Sequence, residues 1–164
     1  MQVEDLMTKD VRTCAPDDTL NRAAQIFWER DCGCAPIVDA ESKVLGIITD
    51  RDLAMSAYTQ GKTLGEIRVS VAMNGGAHCC KPGDTVTAAA ELMAANKIRR
   101  LPVVDDEGRL VGIVSLNDIA QEAARERSQK EKAVSDSEVG ETLASVCEPR
   151  GAKEEQEVLA LASR

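Results

Sequence analysis

A hydroxyl and a carboxylate recur at one spacing in two places. Gly46-Ile47-Ile48-Thr49-Asp50-Arg51-Asp52 is echoed by Gly112-Ile113-Val114-Ser115-Leu116-Asn117-Asp118. Both read as glycine, two apolar residues, Ser or Thr, two variable residues and Asp. An ionised carboxylate only accepts hydrogen bonds, and it can take both hydroxyls of a ribose. A hydroxyl beside a helix N-terminus can hold a phosphate oxygen, helped by free backbone N–H groups and the helix dipole. Glycine permits close backbone approach. The same spacing is also a helix capping box, with Thr49 or Ser115 as N-cap and Asp52 or Asp118 three residues on. An isolated match favours the cap; recurrence in register after a strand favours a binding role.

The elements that carry these residues are duplicated. A shift of 66 residues aligns 7–54 with 73–120 without a gap, and 15 of the 48 positions are identical. The identities include Met7/Met73, Cys14/Cys80, Pro16/Pro82, Asp18/Asp84, Pro36/Pro102, Gly46/Gly112 and Asp52/Asp118. In each copy a Pro-Asp or Pro-Gly turn leads to Asp18 or Thr19, and Asp84 or Thr85, as N-cap candidates. Leu20, Ala23, Ala24 and Phe27, and likewise Val86, Ala89, Ala90 and Met93, fall on one helical face. Ala35–Val38 and Leu101–Val104 read as a strand, the acidic segments at Asp39 and Asp105 as a tight turn, and Val44–Ile48 and Leu110–Val114 as a second strand. A second helix begins near Asp50 and near Leu116. With a short strand near Thr13 and near Cys79, the unit is β-α-β-β-α, and the fold class is α/β (α+β).

One unit of about 55 residues is marginal alone. Two copies packed through their sheets about a pseudo-two-fold axis would share one core and leave two equivalent clefts, and clefts of this kind often hold ligands. The organisation expected is a first repeat over residues 1–60, a connection over 61–72, a second repeat over 73–124 and a charged tail over 125–164. Leu64, Ile67 and Val69 give the connection a packing character. The tail reads as partly helical, with a weak apolar pattern around Val158, Leu159 and Leu161.

The chain has 164 residues, a net charge of −8 and 2% aromatic residues. That balance lacks the basic footprint and the stacking platform of a nucleic-acid binder. No apolar run approaches a membrane span, and no secretory leader is visible at Met1. Six cysteines in C-x-C and C-C spacings match neither a disulfide framework nor a zinc ribbon, so reduced thiols in a cytoplasmic protein are expected. His78, Cys79 and Cys80 are poorly spaced for a tetrahedral metal, and no metal site is expected. No P-loop, GxSxG or HExxH motif occurs, so catalysis is not expected.

The repeat resembles the CBS domain, and the pair, over about residues 3–124, resembles a Bateman module. Asp5-Leu6-Met7-Thr8, Pro102-Val103-Val104-Asp105 and the two Gly-to-Asp motifs carry the resemblance. It implies AMP, ADP or ATP in the inter-repeat clefts, no catalytic cofactor, homodimerisation into a flat disc and a regulated protein partner. It assigns Asp52 and Asp118 to ribose, and Thr49 and Ser115 to ribose or phosphate. It sets adenine against Cys34-Ala35-Pro36 and Arg100-Leu101-Pro102. Arg99 and Arg100 match the family's phosphate-binding basic residues, whereas Gly33 and Cys34 do not. The first copy offers only Arg51, with Asn117 at the same motif position in the second. Arg99 and Arg100 could grip phosphate bidentately or form ion pairs with Asp105, Asp106 or Glu107. Unequal clefts follow, Arg99 and Arg100 being found only in the second copy. The functions left open are a ligand-sensing module, a structural or interaction protein with empty clefts, and a binder of another adenosyl ligand such as NAD or S-adenosylmethionine.

Overall fold

The 66-residue offset holds in three dimensions. The computed structural model describes residues 1–125 and 134–148. The first repeat supplies α2 (Leu20–Arg30), β1 (Cys34–Val38), β2 (Val44–Thr49) and α3 (Asp50–Gln60). The second supplies α5 (Val86–Asn96), β4 (Arg100–Val104), β5 (Leu110–Ser115) and α6 (Leu116–Arg125). Both strand pairs are antiparallel, with Cys34 opposite Thr49 and Arg100 opposite Ser115. The expected strands near Thr13 and Cys79 are single parallel bridges, Cys14 to Ile37 and Cys80 to Val103. Burial of Cys14 and Cys80 accounts for their shared position.

Short leading segments cross between the repeats. Helix α1 (Val3–Leu6) precedes the first repeat, yet the Val3 N–H donates to Asp84 O at 2.9 Å and its side chain lies in the second core. Helix α4 (Val69–Ala72) precedes the second repeat, yet the Val69 N–H donates to Asp18 O at 2.8 Å and its side chain lies in the first core. After α4, β3 (Asn74–Gly75) pairs antiparallel with β2, and Thr8 bridges Ile113 in the matching place. Within residues 61–72, Ile67 and Val69 are buried in the first cluster.

The pseudo-two-fold axis passes through the acidic turns. The Val44 N–H donates to Gly108 O at 3.2 Å, and the Leu110 N–H donates to Ser42 O at 2.9 Å. These two bonds exchange under the 66-residue shift, as an axis requires. Asp39 Oδ1 accepts from the Glu41 and Lys43 amides, and Asp105 Oδ1 from the Glu107 and Arg109 amides. These side-chain-to-backbone bonds shape the turns. Ser42 (φ 65°) and Gly108 (φ 80°) take the left-handed position that closes them.

The buried apolar residues form two clusters, one per repeat, where facing sheets had suggested a single core. The turn backbones meet at the axis, and the helices of each repeat contact that repeat's own strands. Helix α7 (Asp136–Cys147) packs on α5 and α6 and buries Val146, with Val134 just before it. Residues 136–147 of the tail form this helix, and the expected pattern at Val158, Leu159 and Leu161 lies outside the described residues.

Candidate functional site

Strand β2 ends at Thr49 and α3 starts one residue later, so Thr49 keeps extended backbone angles and acts as N-cap. Asp52 Oδ2 accepts from the Thr49 amide at 2.8 Å and from Thr49 Oγ1 at 2.7 Å, while the Asp52 amide donates back to Thr49 Oγ1 at 3.3 Å. Ser115 and Asp118 repeat this box at 2.8, 2.7 and 3.3 Å. The capping alternative is therefore realised in both copies. It engages only Oδ2 of each carboxylate, and Oδ1 is left for other partners.

Those partners differ. Asp52 Oδ1 accepts a hydrogen bond from Asn74 Nδ2 at 3.0 Å. Thr8 occupies the position matching Asn74, and among the described residues nothing donates to Asp118 Oδ1.

The motif glycines serve the chain itself. A Cβ on Gly46 would lie 2.4 Å from Asn74 O, and one on Gly112 would lie 2.6 Å from Met7 Sδ and 3.1 Å from Thr8 O. The close approach read from the sequence is thus by the crossed-over leading segment, and no ligand is needed to explain it.

The two arginines part company. Arg99 Nη2 reaches Cys147 Sγ on α7 at 3.9 Å. Arg100 turns the other way. A Cβ on Gly33 would lie 3.9 Å from Arg100 Nη2 and 3.1 Å from Asp50 Oδ2. The Arg99 and Arg100 side chains thus point toward different parts of the molecule. Successive residues entering a strand project to opposite sides, which separates them. Nor do they pair with the acidic turn: Asp105 and Glu107 pair with Arg109, and Asp106 with Lys81. Among the described residues Arg100 and Arg51 form no ion pair. Two cations thus stand near the first copy's helix start, where the sequence had suggested one.

Register brings the remaining candidates together. Cys34 lies opposite Thr49, and Arg100 opposite Ser115, so the expected adenine segments border the motif hydroxyls. Ala35 and Leu101 are fully buried in the two cores, and Pro36 and Pro102 are buried beside them. Main chain, rather than those side chains, is what these segments can offer a ligand. Arg51 and Asn117 are exposed on the first turns of α3 and α6. Burial pushes the Cys34 thiol up to about 11, with Arg100 pulling against it. Cys14 rises to about 11 and Cys80 to about 12, also chiefly through burial. These thiols stay protonated at neutral pH and act as small apolar groups. Among the described residues no cluster of His, Cys, Asp or Glu has metal-binding geometry, and no helix is long and apolar enough to cross a membrane.

Asn74 escaped the sequence reading because its match is Thr8, an unremarkable pair in the repeat. The signal that could have found it was its place immediately after Met73, where Thr8 follows Met7.

Two segments, residues 3–57 and 65–125, match the family described as CBS domain. The CBS domain-containing protein YhcV of Bacillus subtilis is 38% identical over 118 residues, which span 72% of this chain and 82% of that protein. Other relatives are longer. The inosine-5'-monophosphate dehydrogenase of Methanocaldococcus jannaschii is 36% identical over 131 residues, 80% of this chain but 25% of the enzyme. Among solved structures, the CBS domain pair of protein MJ0100 in complex with 5-methylthioadenosine and S-adenosyl-L-methionine superposes with a TM-score of 0.67. It is 30% identical, over 74% of this chain and 94% of that one. CBSX2 in complex with AMP superposes with a TM-score of 0.66 at 28% identity, over 76% of this chain and 96% of that one.

Proposed function

This chain belongs to the CBS domain family, and on that premise we propose that it is a non-catalytic regulatory module binding an adenine nucleotide (AMP, ADP or ATP) between its two repeats. One observation carries the reading. At both strand–helix junctions a carboxylate is held by its own cap through one oxygen, with a cross-strand partner of the motif hydroxyl beside it. Asp52 and Asp118 take ribose hydroxyls, Thr49 and Ser115 lie at ribose or phosphate, and Arg51 and Arg100 supply positive charge for phosphate. Cys34-Ala35-Pro36 and Arg100-Leu101-Pro102 border the base through their main chain, and Asn117 flanks the second site. Arg99, turned toward α7, is left out of this set.

The complex of CBSX2 with AMP supports the nucleotide. The MJ0100 complex supports a second reading, in which the ligand is another adenosyl compound such as S-adenosylmethionine. In this role the groups at the two junctions bind and cap, and none of them makes or breaks a bond. Occupancy would be relayed to a protein partner by shifting the packing of repeats or subunits. The proposal includes a cytoplasmic protein, whose thiols stay reduced.

The proposal includes a homodimer. Trp28 is 89% exposed and Tyr58 81% exposed on α2 and α3, together with Met55. The matching helices of the second repeat are covered by α7. Exposed large apolar groups of this kind mark association surfaces.

Thermal unfolding tests the ligand reading. AMP at 100 times its dissociation constant is expected to add about 2.7 kcal/mol. The double change Asp52→Ala and Asp118→Ala is expected to remove that increment. Because each change also costs about 1 kcal/mol of cap, the increment and not the absolute stability is compared. No increment with AMP, ADP, ATP, NAD or S-adenosylmethionine would leave the structural or interaction role instead.

A further inference from the structure

We propose that Asn74 is a specificity-determining residue that halves the ribose-binding capacity of Asp52, so the two sites read the sugar differently. The inference rests on the adenosyl-binding reading above. A carboxylate oxygen has two acceptor positions. Oδ2 is filled in both copies, by the amide and the hydroxyl of Thr49 or of Ser115. Among the described residues nothing donates to Oδ1 of Asp118, so both of its positions are open to a ribose diol, which presents two donors. Oδ1 of Asp52 has one position taken by Asn74 Nδ2 at 3.0 Å. Only one ribose hydroxyl can then be accepted there without displacing the amide.

The position of Asn74 is built into the sheet. Its backbone is registered against Ile47, with Gly75 against Gly46. The missing Cβ of Gly46 lets that segment approach, since the atom would stand 2.4 Å from Asn74 O. The amide must turn its NH2 to the carboxylate, because its oxygen would be repelled there. Thr8 is held equivalently by reciprocal bonds with Ile113, at 2.9 and 3.0 Å, but its side chain donates no hydrogen bond to Asp118. The difference between the sites therefore comes from two exposed residues lying outside the Gly-to-Asp motifs.

Isothermal titration of the intact chain with AMP and with 2′-deoxyAMP reads this directly. Asp52→Asn and Asp118→Asn, which retain a cap acceptor, assign each binding event. The Asp118-dependent event is expected to weaken about tenfold when the 2′-hydroxyl is removed, the size expected for a hydrogen bond to a charged group. The Asp52-dependent event is expected to weaken less than about twofold, because one open position still serves the 3′-hydroxyl. Asn74→Thr should raise that discrimination at Asp52 to about tenfold, and Thr8→Asn should remove it at Asp118. A merely structural role for Asn74 would move both ligands' affinities together and leave their ratio unchanged. Equal discrimination at both sites in the native chain would overturn the inference while sparing the function; so would an unchanged ratio in Asn74→Thr. Absence of AMP binding to the native chain would remove the functional reading, and the inference with it.

Discussion

The two repeats share a spacing, a fold and a capping box, and differ in what surrounds them. Around the first, Arg51 and Arg100 stand near the helix start and Asn74 engages the motif carboxylate. Around the second, Leu116 and Asn117 follow the hydroxyl, Asp118 Oδ1 has no donor among the described residues, and α7 covers the helices. None of these differences touches the residues that define the repeat. Duplication preserved the frame that positions a carboxylate, and divergence acted on the neighbours around it. The difference between the two surroundings is thus written in the variable positions of the repeats, in the crossed-over segments and in the tail.

The comparison can be broken most severely at the motif glycines. Gly46→Ala is expected to cost about 3 kcal/mol, because its Cβ meets a backbone carbonyl that cannot yield without opening the β2–β3 pairing. Gly112→Ala is expected to cost about 1 kcal/mol, since the nearest atom is the flexible end of Met7. Urea unfolding measures both. Equal costs would show that the two leading segments are held alike.

A smaller effect is expected at α7, the element that has no counterpart on the first repeat. Ser135 caps it, with Glu138 accepting from the Ser135 amide at 2.7 Å and the Glu138 amide donating to Ser135 Oγ. Ser135→Ala should cost about 1 kcal/mol of local stability, read as faster amide exchange in α7 and unchanged exchange in α2. Those hydrogen bonds to Ser135 hold the Glu138 carboxyl below its ordinary value. A depressed pKa gives stabilisation that is present above the unfolded value and lost as pH falls through the folded one. Acid below about pH 4 should therefore loosen α7. Retention of α7 protection at that pH would contradict the assignment.

The least change in folding stability is expected on the exposed first-repeat helices. Trp28→Glu with Tyr58→Glu should stay within about 0.5 kcal/mol, because neither side chain is packed. The same pair should convert a dimer to a monomer in sedimentation. A native chain that sediments as a monomer would end the homodimer proposal.

Much of the frame was legible in the residues alone. Helical periodicity at Leu20 and Val86, turn chemistry at Asp39 and Asp105, and the ungapped 66-residue offset specify two β-α-β-β-α units and the junction that carries Thr49, Asp52, Ser115 and Asp118. These are local signals, set by side-chain period and by hydrogen bonds spanning a few residues. Tertiary structure decided what no local pattern encodes. Val3 serves the second core and Val69 the first, Gly46 and Gly112 make room for crossed-over chain, Arg99 and Arg100 diverge, and Asn74 meets Asp52 across 22 residues of sequence. Each of these depends on which distant segment arrives beside a residue, and that is settled by packing the whole chain rather than by spacing along it.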